Sequence, residues 1–374
     1  MKKYFFFAAC ASVAFASCVN DVPDAPVNDE QHAITFGVPV VQPNSRTTYE
    51  VGEGYEGGEP FRVTAWYFSG DYIPASANTF MNNVLVKYNS DPESLKWEPQ
   101  DNYYWPKNGT LTFMAYSPSD LNIILNENRS FVITNFTVDP NDSGQQDILF
   151  SERTYNLDYD SSTNGEADIK FNHALSSILF KAKTNIANDQ AEVTIKSIQL
   201  VDIYDSGAFA QNIENADGKF TNTPERAARY KNSPNDNDSL SVLSTEMATW
   251  TAKGSKVNYS VSAVGAGMVL DTSLKTAFTS AGSPKNTDLI LIPQNFETVN
   301  TTARLLITYD IDVKGNGDGV DFANQKYSKN LKDFHKEWKM GYRYTYNISI
   351  NLEPITFAPT VEAWVDAEAE TPEP

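Results

Sequence analysis

The chain has 374 residues and a formal charge of −19. Such an acidic chain repels phosphate backbones and anionic lipid surfaces, so we expect no nucleic-acid partner. The two cysteines, Cys10 and Cys18, lie close to the N-terminus, and loss of a leader that contains Cys10 excludes an internal disulfide. Stability must then come from hydrophobic burial. A chain of this length is expected to form about two domains, each with a core of its own.

Residues 1–17 have the composition of a secretory signal peptide. A basic pair, Lys2-Lys3, precedes an apolar run, Tyr4–Ala16. The run is too short for a bilayer span, which needs about 20 residues, and small residues directly before Cys18 are typical of a lipidation site. We therefore predict an exported lipoprotein with a lipid such as palmitate on Cys18. The alternative is an ordinary cleaved signal followed by an incidental cysteine.

Residues 18–46 are predicted to form a lipidated tether and a removable N-terminal strand. The stretch 19–33 is acidic and contains proline, which is typical of an extended tether. Alternating residues then predict a strand, and Pro39 restricts it to a sheet edge because proline cannot donate a hydrogen bond. The apolar residues of this strand are Ile34, Phe36, Val38 and Val40. A polar loop follows, in which a protease that cuts after arginine would find one accessible site, between Arg46 and Thr47.

Alternation of period two recurs through the rest of the chain and predicts an all-β protein. Because no strand–helix–strand rhythm favours a parallel sheet, antiparallel sandwiches are the expected architecture. The predicted strands are Phe61–Phe68, Thr110–Tyr116, Phe131–Phe136, Ile169–Lys183, Val193–Ile203, Val257–Val264, Leu289–Pro293, Arg304–Val313 and Tyr344–Leu352. The few short helical patterns are Pro224–Lys231, Ser273–Ala281 and Asn330–Lys339.

A polar stretch, Asp158–Ala167, is the predicted domain boundary. It divides an N-terminal β-sandwich domain, residues 47–167, from a C-terminal one, residues 168–353. Residues 354–374 form a tail whose apolar residues share one period-two face, which is typical of a strand that pairs with another chain. These predicted donor-strand residues are Ile355, Phe357, Val361, Ala363 and Val365. The alternative is an ordinary last strand of the tail's own domain.

Motifs for catalysis or cofactor binding fail on inspection, so we predict no enzyme, no cofactor and no metal. A Gly-x-Gly-x-x-Gly spacing at residues 52–57 has acidic neighbours that would repel a phosphate, and no helix follows it. The segment 310–321 favours a Gly-rich hairpin, with a loop calcium site as the alternative. The three histidines lack metal-ligand spacing, and they are His32, His173 and His335.

Two tryptophans, Trp97 and Trp105, lie in a turn-rich stretch that also contains tyrosines. Exposed rings of this kind could stack on sugars, which would suit a monomeric surface lipoprotein or adhesin that binds glycans. The interpretation we favour is that Trp105 fills the core, because the apolar strand Thr110–Tyr116 follows almost directly. These two interpretations predict opposite exposures of the indole rings.

Short segments distributed along the chain carry a family resemblance through their order and spacing. They are Ile34–Phe36, Arg46-Thr47, Tyr103–Pro106, Gly109–Pro118, Asp147–Phe150, Phe171–Ile178, Leu291–Gln294 and Trp338–Tyr342. Together they resemble the fimbrillin-like pilins (type V pilins) of gut and oral anaerobic bacteria. The resemblance implies two tandem antiparallel β-sandwich (transthyretin-like) domains with few short helices.

The same resemblance implies a structural or accessory subunit of a cell-surface fimbria. It implies export as a lipoprotein anchored in the outer membrane and cleavage after Arg46 by an Arg-specific protease. It further implies polymerisation by donor-strand exchange with other copies or related fimbrial subunits, and adhesion to a host or bacterial ligand.

Overall fold

The computed structural model describes residues 32–37, 40–41, 59–70, 78–91, 96–126, 129–140, 145–151, 153–162, 165–211, 248–262, 267–277, 288–317, 319–351, 356–357 and 359–363. Nearly all regular structure in these ranges is β, which confirms the predicted all-β fold. One 3₁₀-helix, Leu331–Asp333, is the only helical element described. None of the described helical structure has the length and apolar character needed to cross a bilayer.

The strands are β1 Thr35–Phe36, β2 Val40–Val41, β3 Phe61–Phe68, β4 Asn78–Asn89, β5 Lys96–Pro99, β6 Thr110–Ser117, β7 Ile124–Leu125, β8 Phe131–Thr137, β9 Leu149–Ser151, β10 Thr154–Leu157, β11 Glu166–Ala167, β12 Lys170–His173, β13 Ser176–Thr184, β14 Ala191–Gln211, β15 Ala248–Ser262, β16 Met268–Val269, β17 Lys275–Thr276, β18 Leu289–Leu291, β19 Arg304–Val313, β20 Phe322–Asn330, β21 Tyr342–Ile350, β22 Thr356–Phe357 and β23 Thr360–Ala363. The helical pattern at Asn330–Lys339 therefore reduces to a single 3₁₀ turn. The pattern at Ser273–Ala281 contains β17, which pairs with β13, and Pro224–Lys231 lies outside the described residues.

The first sheet follows the order β11-β1-β5-β4-β3-β6-β9-β12-β2, with β10 pairing with β6. Its two ends are formed by the same pair of chain segments. β1 runs parallel to β11 and β2 runs parallel to β12, so the N-terminal segment contributes to both ends of the sheet. The strands that separate these ends are antiparallel, as the sequence predicts.

Two further sheets form the C-terminal half. A six-stranded sheet has the order β17-β13-β21-β22, with β18 on β13 and β23 on β21. A seven-stranded sheet has the order β20-β19-β14-β8-β7, with β15 and β16 on β14. β13 and β21 pair in parallel along their length, so the sheets are mainly but not wholly antiparallel.

The predicted domain boundary after residue 167 does not separate the sheets, because strands from each side of it join a sheet on the other side. β7 and β8 precede that point in the chain but belong to the seven-stranded sheet, because β8 pairs with β14 and buries Phe131 and Ile133 in the larger core. β12 follows that point but belongs to the first sheet, where it pairs with β9. The two domains with the bounds given above stay a prediction.

The described residues form two hydrophobic cores. The first lies within the first sheet and includes Ile34 and Phe36 of the N-terminal segment. The second is larger and joins the outer face of the first sheet to the two C-terminal sheets. β3 serves both cores because successive residues of a strand point to opposite faces, so Phe61 lies in the first core and Trp66 in the second.

Candidate functional site

The N-terminal segment 34–41, called the leader strand below, joins the first sheet through β1, which is paired on both sides, and through β2, which pairs with β12. Phe36 is the register partner of Trp97 in β5 on one side and of Ala167 in β11 on the other. The backbone N–H of Ile34 donates to the carbonyl of Tyr103 over 2.8 Å. The predicted edge position therefore does not hold at β1, which lies between two neighbours. Pro39 itself lies outside the described residues.

The side chains of Ile34 and Phe36 are core residues, each 1% exposed. The Phe36 ring meets Phe61 edge-on at 5.8 Å and Phe113 edge-on at 5.9 Å, measured between ring centroids. Burying a side chain of this size stabilises the fold by about 1.5–3 kcal/mol, and edge-to-face aromatic pairs add to that. The leader strand thus fills a cavity in the first core that its removal would open.

The second half of the leader strand has a register irregularity. Thr35 and Phe36 pair with residues 166 and 167, whereas Val40 and Val41 pair with Lys170 and Phe171. One extra leader residue therefore lies between the two pairings, which interrupts the strict alternation expected from Ile34 to Val40. The side chain of Val40 is not described, and Val38 lies outside the described residues.

The C-terminal tail pairs with its own subunit in this structure. β22 and β23 lie antiparallel to β21, with Phe357 opposite Ile348 and Val361 opposite Tyr344. This is the arrangement of an ordinary last strand, the alternative given above. Val361 is nevertheless 46% exposed there, so this pairing leaves apolar surface in water. Ile355 and Val365 lie outside the described residues, and the side chains of Phe357 and Ala363 are not described.

The glycan-stacking role considered for Trp97 and Trp105 is wrong, because both side chains are fully buried. Trp97 packs against Phe61 with ring centroids 5.2 Å apart. The indole N–H of Trp105 donates to the carbonyl of Gly165 over 2.8 Å. Neither ring presents a face to solvent, and both help to build the core that the leader strand completes.

The lipidation and processing residues, Cys18, Arg46 and Thr47, lie outside the described residues, and their roles stay predictions. Of the eight arginines in the sequence, Arg226 and Arg229 also lie outside. The five that are described all use their guanidinium groups in hydrogen bonds, ion pairs or stacking on Trp66, and they are Arg62, Arg129, Arg153, Arg304 and Arg343.

The acidic segment considered as a calcium loop forms a hairpin between β19 and β20. The Asp321 carboxylate accepts hydrogen bonds from the Val313 N–H over 2.8 Å and from the Asn316 amide over 2.6 Å. The Asp310 carboxylate pairs with Lys196 at 3.0 Å and accepts from the Asn324 N–H at 2.7 Å. Across the described ranges, no group of three or more His, Cys, Asp or Glu residues could hold a metal ion.

The three histidines lie in separate places. His32 stacks on Tyr159 with ring centroids 3.8 Å apart, and the Nδ1 atom of His173 pairs closely with Asp147. His335 is packed among tyrosines, and burial lowers its pKa to about 4. Each ring has a structural environment of its own.

Sequence reasoning missed a cavity of about 400 Å³ in the C-terminal half. It is lined by the start of β15, residues 293–295 and residues 337–340, and its walls include Trp250 and Trp338. Both indole N–H groups are used within the protein, donating to the Ala174 carbonyl at 2.5 Å and to the Tyr346 hydroxyl at 3.0 Å. No sequence signal marks this cavity, because the three segments are distant in the chain.

Comparison with solved structures shows related folds. A fimbrial protein of Bacteroides vulgatus is 18% identical, with 88% of this chain and 99% of that chain covered and a TM-score of 0.51. A protein of Bacteroides uniformis assigned to cell adhesion is 13% identical, with coverages of 90% and 99% and a TM-score of 0.46. A fimbrial assembly protein of Parabacteroides distasonis is 9% identical, with coverages of 89% and 98% and a TM-score of 0.35.

No curated protein matches the chain. At 18% identity, the Bacteroides vulgatus structure supports the fold alone. A family model described as fimbrillin-like, however, matches residues 45–364. Because that match covers most of the sequence, the protein belongs to the fimbrillin-like family.

Proposed function

We propose that this protein is a structural or accessory subunit of a cell-surface fimbria, activated by removal of its leader strand. In this proposal the lipid on Cys18 holds the precursor in the outer membrane, and an Arg-specific protease cuts between Arg46 and Thr47. Membership of the fimbrillin-like family supports the fimbrial role. The similar protein of Bacteroides vulgatus is itself described as fimbrial, which agrees with it.

The observation that carries the proposal is the position of the leader strand in the first sheet. It fills the first core with Ile34 and Phe36, yet it precedes the predicted cut by only a few residues. Cleavage would leave it attached by non-covalent contacts alone. Its departure would open an apolar groove, bordered by β5 on one side and by β11 on the other.

A groove of this kind would recruit another strand. Open strand edges template pairing with a further chain, and the cavity left by Phe36 would expose apolar walls to water. The tail of a second subunit is the proposed occupant. Because the contact joins the tail of one subunit to the groove of the next, it is head-to-tail and extends into a filament.

The experiment uses a lipid-free precursor, C18A, treated with an Arg-specific protease. Intact mass should show a product that begins at Thr47, and a denaturing gel without boiling should show a ladder of oligomers. The R46A variant should keep its leader and stay monomeric. Because Arg226 and Arg229 are further candidate cut sites, the R226A/R229A variant is the matched control and should still form ladders.

A wild-type product that begins at Thr47 and remains monomeric at high concentration would contradict the proposal. The same holds for an R46A precursor that polymerises as readily as the wild type, since its leader would still occupy the groove.

A further inference from the structure

The tail repeats the sequence of the leader strand. Ile34-Thr35-Phe36 recurs as Ile355-Thr356-Phe357, and the small residue Gly37 corresponds to Ala358. At the same spacing Val361 corresponds to Val40, while Pro359 takes the place of Val38. The two segments lie at opposite ends of the chain and in different sheets, so their likeness is not explained by a shared position in the fold.

From this likeness and the geometry of β1 we infer that the tail enters the groove of the next subunit in one register. Ile355 and Phe357 take the places of Ile34 and Phe36, and Ala358 takes the place of Gly37. The inference rests on the proposed function and specifies the partner segment residue by residue.

The inner face of the groove selects the aromatic residue. Phe36 is 1% exposed and meets Phe61 and Phe113 edge-on. A cavity with these walls is closely packed, and replacing its occupant by a smaller side chain leaves unfilled volume. Phe357 is the tail residue that matches the occupant in both size and shape.

The outer face of the groove selects a small residue at the position of Gly37, which lies two residues after the outward-facing Thr35. Phe36, Trp97 and Ala167 face the core, so Gly37 faces outward. There Lys96 of β5 reaches across β1 to Glu166 of β11, with Nζ and Oε1 3.0 Å apart. We call this ion pair the clasp, because it closes over the leader strand.

Space beneath the clasp is limited. A Cβ atom on Gly37 would lie 2.8 Å from the Asp168 carboxylate and 3.6 Å from that of Glu166. The nearer atom is the end of a side chain, so a single methyl group can be accommodated by a small movement of Asp168. A longer side chain would have to displace the clasp as well.

This limit fixes the register of the tail. In steps of two residues, which keep an apolar residue inward at the place of Phe36 or Ile34, the tail residues that could take the place of Gly37 are Thr356, Ala358, Thr360 and Glu362. Of these four residues, only Ala358 has a side chain of one methyl group. A slip of two or four residues would place a threonine or a glutamate under the clasp and would remove Phe357 from the aromatic cavity.

A cysteine pair tests the register directly. Thr35 lies beside Glu98 in the antiparallel register set by Phe36 and Trp97, and such partners lie within about 4.5–5.5 Å, inside the range for a disulfide. In the C18A chain, T356C/E98C should give disulfide-linked ladders after cleavage and oxidation. The matched control T360C/E98C, which reports a slip of four residues, should not. Neither uncleaved precursor should link, since the leader still covers Glu98.

Substitution at Ala358 tests the clasp. A358L should slow ladder formation by about tenfold or more, the scale expected when bulk is forced into a packed site, whereas A358G should polymerise like the wild type. Adding D168A to A358L should restore part of the rate, because it removes the nearest obstructing group. Circular dichroism of the uncleaved A358L chain verifies that it is folded.

The outcomes separate this inference from the proposed function. If the cleaved wild type forms ladders but T360C/E98C links instead of T356C/E98C, or A358L polymerises normally, the register is wrong and the fimbrial proposal stands. If the cleaved wild type forms no ladders at all, both fail.

Discussion

Replacing Phe36 by alanine should destabilise the uncleaved precursor and should speed polymerisation once the precursor is cleaved. In the uncleaved precursor the substitution removes a fully buried ring that packs against Phe61 and Phe113. Large-to-small changes of this kind cost about 3–5 kcal/mol. The free energy of unfolding falls by about 3 kcal/mol per molar urea, so the urea concentration at the unfolding midpoint of the first core should fall by roughly 1–2 M.

After cleavage the same substitution should speed polymerisation. The cut leader is then held only by its own contacts, and losing Phe36 weakens them, so the groove empties sooner. The donor variant F357A should have the opposite effect and slow the ladders, because the incoming strand then lacks the ring that fills the cavity. A gel time course on both variants measures the two rates.

A surface variant provides the control for this pair. Val299 is 48% exposed and belongs to neither segment, so V299A should leave both the urea midpoint and the ladder rate near the wild-type values. The reasoning is refuted if F36A leaves the midpoint unchanged, or if it slows polymerisation as F357A does.

G37L should lower the thermal midpoint of the precursor, at a cost of about 1–3 kcal/mol, because the larger side chain would obstruct the clasp; an unchanged melt would contradict the clasp. W97A and W105A should each destabilise the fold by about 3–5 kcal/mol in urea titrations, without creating or abolishing any signal on a glycan array. For His335, the lowered pKa of about 4 means that the unfolded chain binds a proton between pH 6.5 and 4 that the folded chain does not. Unfolding free energy should therefore fall as the pH drops through that window, and H335L should flatten the decline, whereas equal slopes for the two proteins would argue against burial as the cause.

Two strands have the bounds that the sequence predicts, and different signals reveal them. β19 has the predicted bounds, Arg304–Val313, and β3 has the predicted bounds, Phe61–Phe68. Period two is visible wherever the two faces of a strand differ in polarity. In β3, where both faces are buried, aromatic and β-branched residues provide the signal instead.

Two long strands escaped prediction for physical reasons. β4 contains a register shift around Asn83, whose positive φ of 54° breaks the alternation. β20, Phe322–Asn330, pairs only with β19 among the described strands and is mostly exposed. A strand with no buried face carries no apolar alternation, so it reads as a polar loop.

For the candidate site, sequence reasoning could predict the strands but not the strands with which they pair. The alternation at Ile34 and Phe36 predicts a strand, but nothing local reveals its parallel partners at Glu166 and Ala167. For the tail, the apolar face predicts a pairing strand without saying which chain it joins. Pairing with β21 of the same subunit and pairing with a neighbour demand the same residue pattern, and only the three-dimensional contacts distinguish the present state.

The central claim is that cleavage frees the leader strand and that the tail of a neighbour replaces it. The most direct measurement is mass spectrometry of surface polymers purified from cells, combined with chemical cross-linking between subunits. The account predicts subunits that begin at Thr47 and cross-links from the tail near Thr356 to β5 or β11 of a neighbour. Polymers whose subunits retain residues 18–46, or whose tails cross-link only to their own β21, would contradict it.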